Sequence, residues 1–213
     1  MSKLKVFAGF IPWIVFSLFA TRTGTGTVAT AGFLAFVIAV LFIIRDVRRG
    51  ESPKVLEVTG AIAFAVIAIA ALVDPRADAF LATYGRSLAT WTLAIVIFAM
   101  LPFMPFTEQY ARESVPREYW HTARFRSINR RISAAWGVAI AVMAASHLLA
   151  ALFISVGTDV GVPSRPIDLF FNWILPIVAI WWAVSFTIRH SKGPEEAAQT
   201  HAARRSEGRR RTA

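Results

Sequence analysis

The chain has 213 residues, of which 56% are hydrophobic and 17% charged, with no cysteine and a formal net charge of +10. A soluble domain of this size needs more polar surface to cover its core, so composition excludes one. The lack of cysteine removes disulfides, thiolate metal sites and cysteine nucleophiles. Excess basic charge in a soluble protein raises nucleic acid as a partner. In an apolar chain it marks cytoplasmic loops that face anionic headgroups, and no nucleic-acid partner is expected.

Apolar runs long enough for a bilayer core of about 30 Å recur along the chain. They predict an all-α integral membrane protein, a bundle of six transmembrane helices. The spans are placed at about 6–20, 28–44, 55–73, 88–106, 132–156 and 169–188. The first resembles a secretory signal, but Leu18 stands where a cleavage site needs a small residue. It is therefore read as a short or tilted span, with a candidate bend at Pro12. TRTGTGT (21–27) joins it to the second in a tight hairpin. RDVRRGESPK (45–54) is a polar break, and DPRADAFLATYGRS (74–87) is read as the loop closing the third span. Pro102 and Pro105 end or kink the fourth. GTDVGVPSRPID (157–168) separates the fifth from the sixth. The membrane domain ends near residue 190, and 191–213 is a basic tail without apolar periodicity, read as disordered.

Six spans put both termini on one side. The segments on that side hold two, four, six and seven Lys and Arg residues, nineteen in all, against four in the opposite loops. The positive-inside rule then makes both termini cytoplasmic.

Ionisable groups inside a span are costly and are the first place to look for function. His147, in AASHLLA, lies about 22 Å from the cytoplasmic edge when counted from Ile132. It is a candidate proton site or ligand. The structural alternative is a histidine bonded to a backbone carbonyl or water. His121, His190 and His201 lie elsewhere in depth, so no haem pair is formed, and no cofactor or metal is expected. Asp159 and Asp168 approach His147 only in a particular fold. Asn172 is positioned to hydrogen-bond between helices and joins His147 as a candidate intramembrane site. Glu57 suits a helix N-terminus, and the Asp74 and Asp78 pair reads as solvated. Phosphate-loop, GxSxG and HExxH patterns are missing, so no enzyme is expected. Small residues at Gly137, Ala141 and Ala145, and at Ala61 and Ala65, serve close packing inside the bundle or a homo-oligomer.

The most charged internal stretch is PFTEQYARESVPREYWHTARFRSINRRIS (105–133). Before Pro116 it extends a helix into water, with Glu108 and Arg112 paired at i, i+4. After Pro116 it is an interfacial helix with Phe125, Ile128 and Ile132 on one face. Arg112, Arg117, Tyr119, Trp120, Arg124, Arg126, Arg130 and Arg131 are its candidate contacts to anionic lipid or a partner protein.

Five features carry a family likeness. They are FAGFIPWIVFSLF (7–19), RDVRRGE (45–51), the proline ending the fourth span, FRSINRRISAAWGVA (125–139) and LFFNWILPIVAIWW (169–182). In order and spacing the chain resembles the bacterial intracellular septation protein A family, inner-membrane proteins of five or six helices. The charged insert at 107–124 and the basic tail depart from it. The resemblance implies a non-enzymatic role in envelope integrity and septation through division and envelope-synthesis proteins. The alternative is a small transporter, channel or lipid-translocating protein with a polar path near His147.

Overall fold

The computed structural model describes residues 8–20, 27–159 and 164–191. The 21–26 part of the first link, the basic residues Lys3 and Lys5 and the tail from 192 lie outside them. Among the described residues the fold is entirely helical, with α1 at Ile11–Phe19, α2 at Thr27–Arg48, α3 at Val55–Val73 and α4 at Pro75–Met100. Next come α5 at Phe106–Ala111, a 3₁₀ turn at Arg117–Tyr119, α6 at Ala123–Asp159 and α7 at Ser164–Ser191.

Five of these helices, α2, α3, α4, α6 and α7, are long and apolar enough to cross a membrane. Their outward faces are apolar too. Leu72 is 78% exposed, Val73 75% and Trp181 66%, a surface that suits lipid and not water. This is a membrane-embedded helical bundle.

α1 differs from the expected first span. It has nine residues, about 14 Å at 1.5 Å per residue, against about 30 Å of hydrocarbon. Pro12 sits in its first turn. There a missing N–H costs nothing, so the proline starts this helix and does not bend it. Pro12, Trp13 and Phe16 are buried, with Trp13 and Phe16 packed on Phe64 of α3.

The 74–87 segment is helix, not loop. Asp74 caps α4 by accepting from the Arg76 N–H at 2.8 Å, and Pro75 occupies the first helical position. Asp-Pro is a helix-start signal, so one residue joins α3 to α4. α6 likewise begins at Ala123 and runs for 37 residues, about 55 Å. The expected interfacial helix is its first turns, continuous with the span. α7 starts at Ser164, so Asp168 and Asn172 are both helical.

α2 packs along α3, α4 packs along α6, and α3 joins the pairs through α4. Small residues set the distances. Val28, Ala31, Gly32, Ala35 and Ala39 form the buried face of α2. A Cβ on Gly32 would meet the Ala68 nitrogen at 3.1 Å and the Phe64 carbonyl at 3.2 Å. Gly137 presses on the Phe98 ring in the same way, at 3.0 Å. Gly137 therefore serves α4–α6 packing inside the bundle.

Candidate functional site

Two sites at opposite ends of the α6–α7 pair combine polar chemistry with open space. The first is built on a distortion of α7. Phe170–Ile174 is a π-helical turn, and the Leu175 N–H bonds the Phe170 carbonyl, five residues back. Pro176 explains why the turn persists. It has no N–H, so the carbonyl five residues before it, that of Phe171, has no partner in its own helix. The Ser146 hydroxyl of α6 donates to that carbonyl.

The wider turn carries Asn172 toward α6. His147 Nδ1 and Asn172 Oδ1 are 2.8 Å apart, and Asn172 Nδ2 donates to Asp168 Oδ1 at 2.8 Å. A carboxylate only accepts, so Asp168 fixes the amide with its oxygen toward His147. The imidazole must then donate from Nδ1. His147 is 5% exposed, and the sequence reading expected its partner to be a backbone carbonyl or water. The Asn172 side chain takes that place.

Two adjoining cavities meet at this chain of polar groups. One, of about 260 Å³, has Thr83, Arg86, His147, Asp168 and Asn172 among its lining. The other, of about 290 Å³, is walled mainly by apolar side chains of α1, α4, α6 and α7 and shares Arg86, His147 and Asn172. Arg86 Nη2 donates to the Ala20 carbonyl at 3.5 Å, placing the guanidinium against the end of α1. Among the described residues, no three His, Cys, Asp or Glu side chains are grouped to hold a metal.

The second site is basic. Arg124, Arg131, Arg189 and His190, with Ser127 and Ile128, line a cavity of about 370 Å³. The first four are exposed. The His190 ring stacks on Phe186 at 3.9 Å between centroids. Its Nδ1 donates to the Phe186 carbonyl at 2.9 Å, which fixes the ring. Arg189 and His190 were absent from the predicted contact set, because sequence alone does not show that α7 returns beside the start of α6.

The other predicted contacts divide in two. Arg126 and Arg130 are exposed on α6, with Arg126 Nη2 3.3 Å from His121 Nδ1. Arg112, Arg117, Tyr119 and Trp120 belong to a separate knot. Arg112 pairs with Glu108 at 2.6 Å, the expected i, i+4 pair. Both Arg112 and Arg117 lie over the Trp120 ring, at 5.0 and 5.6 Å. Trp120 Nε1 donates to the Val115 carbonyl at 2.8 Å, and Tyr119 is exposed on the turn.

TEQYARES does not extend into water. Phe106, Thr107, Glu108 and Tyr110 are buried. Thr107 Oγ1 donates to the Asn129 carbonyl at 3.0 Å and lies 2.8 Å from Ser133 Oγ. Lys54 pairs with Glu113, and Gln109 Oε1 accepts from the Val55 N–H at 3.0 Å. α5 is thereby clamped between α6 and the α2–α3 turn. The polar break 45–54 is also partly interior. Asp46 and Glu57 are each 1% exposed, with Arg45 at 2.7 Å from Asp46 and 3.9 Å from Glu57. Burial, with the Glu57 and Asp46 carboxylates near, pushes the Tyr110 phenol above its ordinary range, so it stays neutral.

No family model matches the chain, and comparison with curated proteins and with solved structures returns no match. Fold and site define the class: a multi-pass helical membrane protein with a polar-lined cavity in its bundle and a basic pocket at one end.

Proposed function

We propose that this chain is a non-enzymatic bacterial inner-membrane protein with six spans and both termini cytoplasmic. In this reading, α1 with the residues before it makes the first span. The basic cytoplasmic face holds anionic lipid headgroups and meets envelope or division proteins, in support of envelope integrity and septation. The observation that carries the reading is the pocket of Arg124, Arg131, Arg189 and His190, whose lining includes no acid. Arginine forks match phosphate oxygens two at a time, and each basic residue near an anionic surface contributes about 1 kcal/mol. The septation role is supported by the segment order shared with the septation protein A family.

One experiment addresses both parts. The full chain is purified in neutral detergent and exposed to phosphatidylglycerol or phosphatidylcholine, and the retained lipid is read by native mass spectrometry. Phosphatidylglycerol is expected to be retained, and R124Q/R131Q/R189Q to lose it. The same variant is then expected not to restore normal division in cells lacking the chain. Equal retention of the two lipids, or full complementation by the variant, overturns the reading. A second reading, a small transporter, channel or lipid-translocating protein, is favoured by the cavities that reach His147.

A further inference from the structure

The two chambers at His147 form one amphiphilic space, far from the basic pocket. His147 and Arg131 are sixteen residues apart on α6, about 24 Å along the axis. The larger chamber is walled by Phe10, Trp13, Leu93, Trp136 and Ile140, among other apolar side chains. Ile14 and Leu18 of α1 and Trp173 and Ile177 of α7 also line it and are exposed. It therefore opens between these two helices, toward the region where lipid tails lie.

The smaller chamber does not select by the sign of a charge. Among the described residues that line it, the charged ones are Arg86 and Asp168, of opposite sign. Asp168 keeps its charge while accepting from Asn172 Nδ2, and Arg86 is engaged at the end of α1, with Nη2 on the Ala20 carbonyl. An anionic head is repelled by the first and a cationic head by the second. A neutral head meets neither penalty.

Hydrogen bonding does select. Thr83 Oγ1 donates to the Ala79 carbonyl at 3.4 Å and Thr90 Oγ1 to the Arg86 carbonyl at 2.8 Å, so each hydroxyl is left with lone pairs to offer. An ionised imidazole is costly at 5% exposure inside the bundle. The neutral ring has one N–H, which Asn172 Oδ1 holds at Nδ1, and Nε2 is then an acceptor. With the Asp168 carboxylate beside it, the site is rich in acceptors and matches a head that donates.

We propose that this space binds a single-chain lipid with a neutral hydroxyl head, a long-chain alcohol. The chain enters between α1 and α7 and lies in the apolar chamber, and the O–H donates to His147 Nε2. A mostly apolar pocket with a few convergent polar groups is the usual form of a ligand site. Binding there rests on neither the basic face nor transport. Failure of lipid retention at Arg124, Arg131 and Arg189 leaves it untouched.

The test uses the full chain in nanodiscs of phosphatidylcholine, with probes carrying a diazirine at the end of a dodecyl chain. Three heads are compared: the alcohol, the carboxylate and the primary amine. After illumination, labelled residues are mapped by mass spectrometry. Trp136 and Ile140 lie eleven and seven residues before His147, about 16 and 10 Å down the axis. Saturable labelling of these two or of Met143 is expected from the alcohol, above that from either charged probe. H147F is expected to weaken it about tenfold, and S17F, which fills the chamber from α1, to abolish it. D168N keeps an acceptor for Asn172 but removes the charge, so it should raise labelling by the carboxylate and leave that by the alcohol. Competition on the wild-type chain tests the same point without a variant: dodecanol should displace the probe, and dodecanoate and dodecylamine should not. Chamber labelling that is equal for the three heads, strongest for a charged one, or indifferent to H147F in a folded variant overturns the proposal. Labelling confined to the lipid-facing Leu72 and Trp181 overturns it as well.

Discussion

At the scale of single residues, Asn172 holds the intramembrane site together. It accepts from His147 and donates to Asp168 at once, so its loss leaves the buried His147 and the half-buried Asp168 without this partner. Asn172→Leu is expected to lower stability by about 1–3 kcal/mol, read as an earlier unfolding transition in detergent. His147→Leu in that background should cost less than His147→Leu alone, because the pair is already broken. Strict additivity of the two would show that the bond carries no weight. The sequence pointed to both residues, since a histidine and an asparagine stand out in apolar spans. It did not pair them, because the pairing depends on a π turn. A signal was present all the same, in Pro176 four residues after Asn172.

At the scale of elements, what separates the observed helices from the expected ones is the role of polar segments. Segments 45–54, 74–87 and 105–116 were each read as solvated, because charge in a sequence usually marks water. The first folds Asp46 inward and the third clamps α5 against α6, while the second is the opening of α4. Burial of these groups is offset by partners from other elements: Lys54 with Glu113, Gln109 with Val55, Thr107 with Ser133. Sequence periodicity does not show such partners. Close helix approach makes its own prediction. Gly32→Val forces α2 away from the Ala68 and Phe64 backbone, and overpacking of this kind costs about 1–3 kcal/mol. Gly50→Ala, in a turn with nothing within 4 Å of the added carbon but a φ of +70°, provides a comparison in which strain acts without contact. If unfolding of Gly32→Val matches wild type, the α2–α3 seam is looser than described.

At the scale of the molecule, the bundle has a direction. The Arg124, Arg131, Arg189 and His190 pocket is at one end of the α6–α7 pair, and the His147 chambers are at the other. With nineteen Lys and Arg residues assigned to one side and four to the other, the expected topology puts the basic pocket in the cytoplasm. Reporter fusions at Gly50, Pro116 and the C-terminus should then report cytoplasm, and fusions near Gly161 the outer side. A reversed or mixed pattern defeats the orientation. An N-terminal fusion on the outer side would limit the protein to five spans.

The sequence by itself determined that this is a helical membrane protein, where α3 runs, and which residues inside the spans are chemically exceptional. Those properties follow from local apolar length and from the cost of charge in lipid, and both are written in consecutive residues. Only the tertiary structure decided that Arg189 and His190 join Arg124 and Arg131, and that Arg86, Asp168 and Asn172 gather around His147. Both depend on which helices lie side by side, and the second also on a turn that departs from the regular α period.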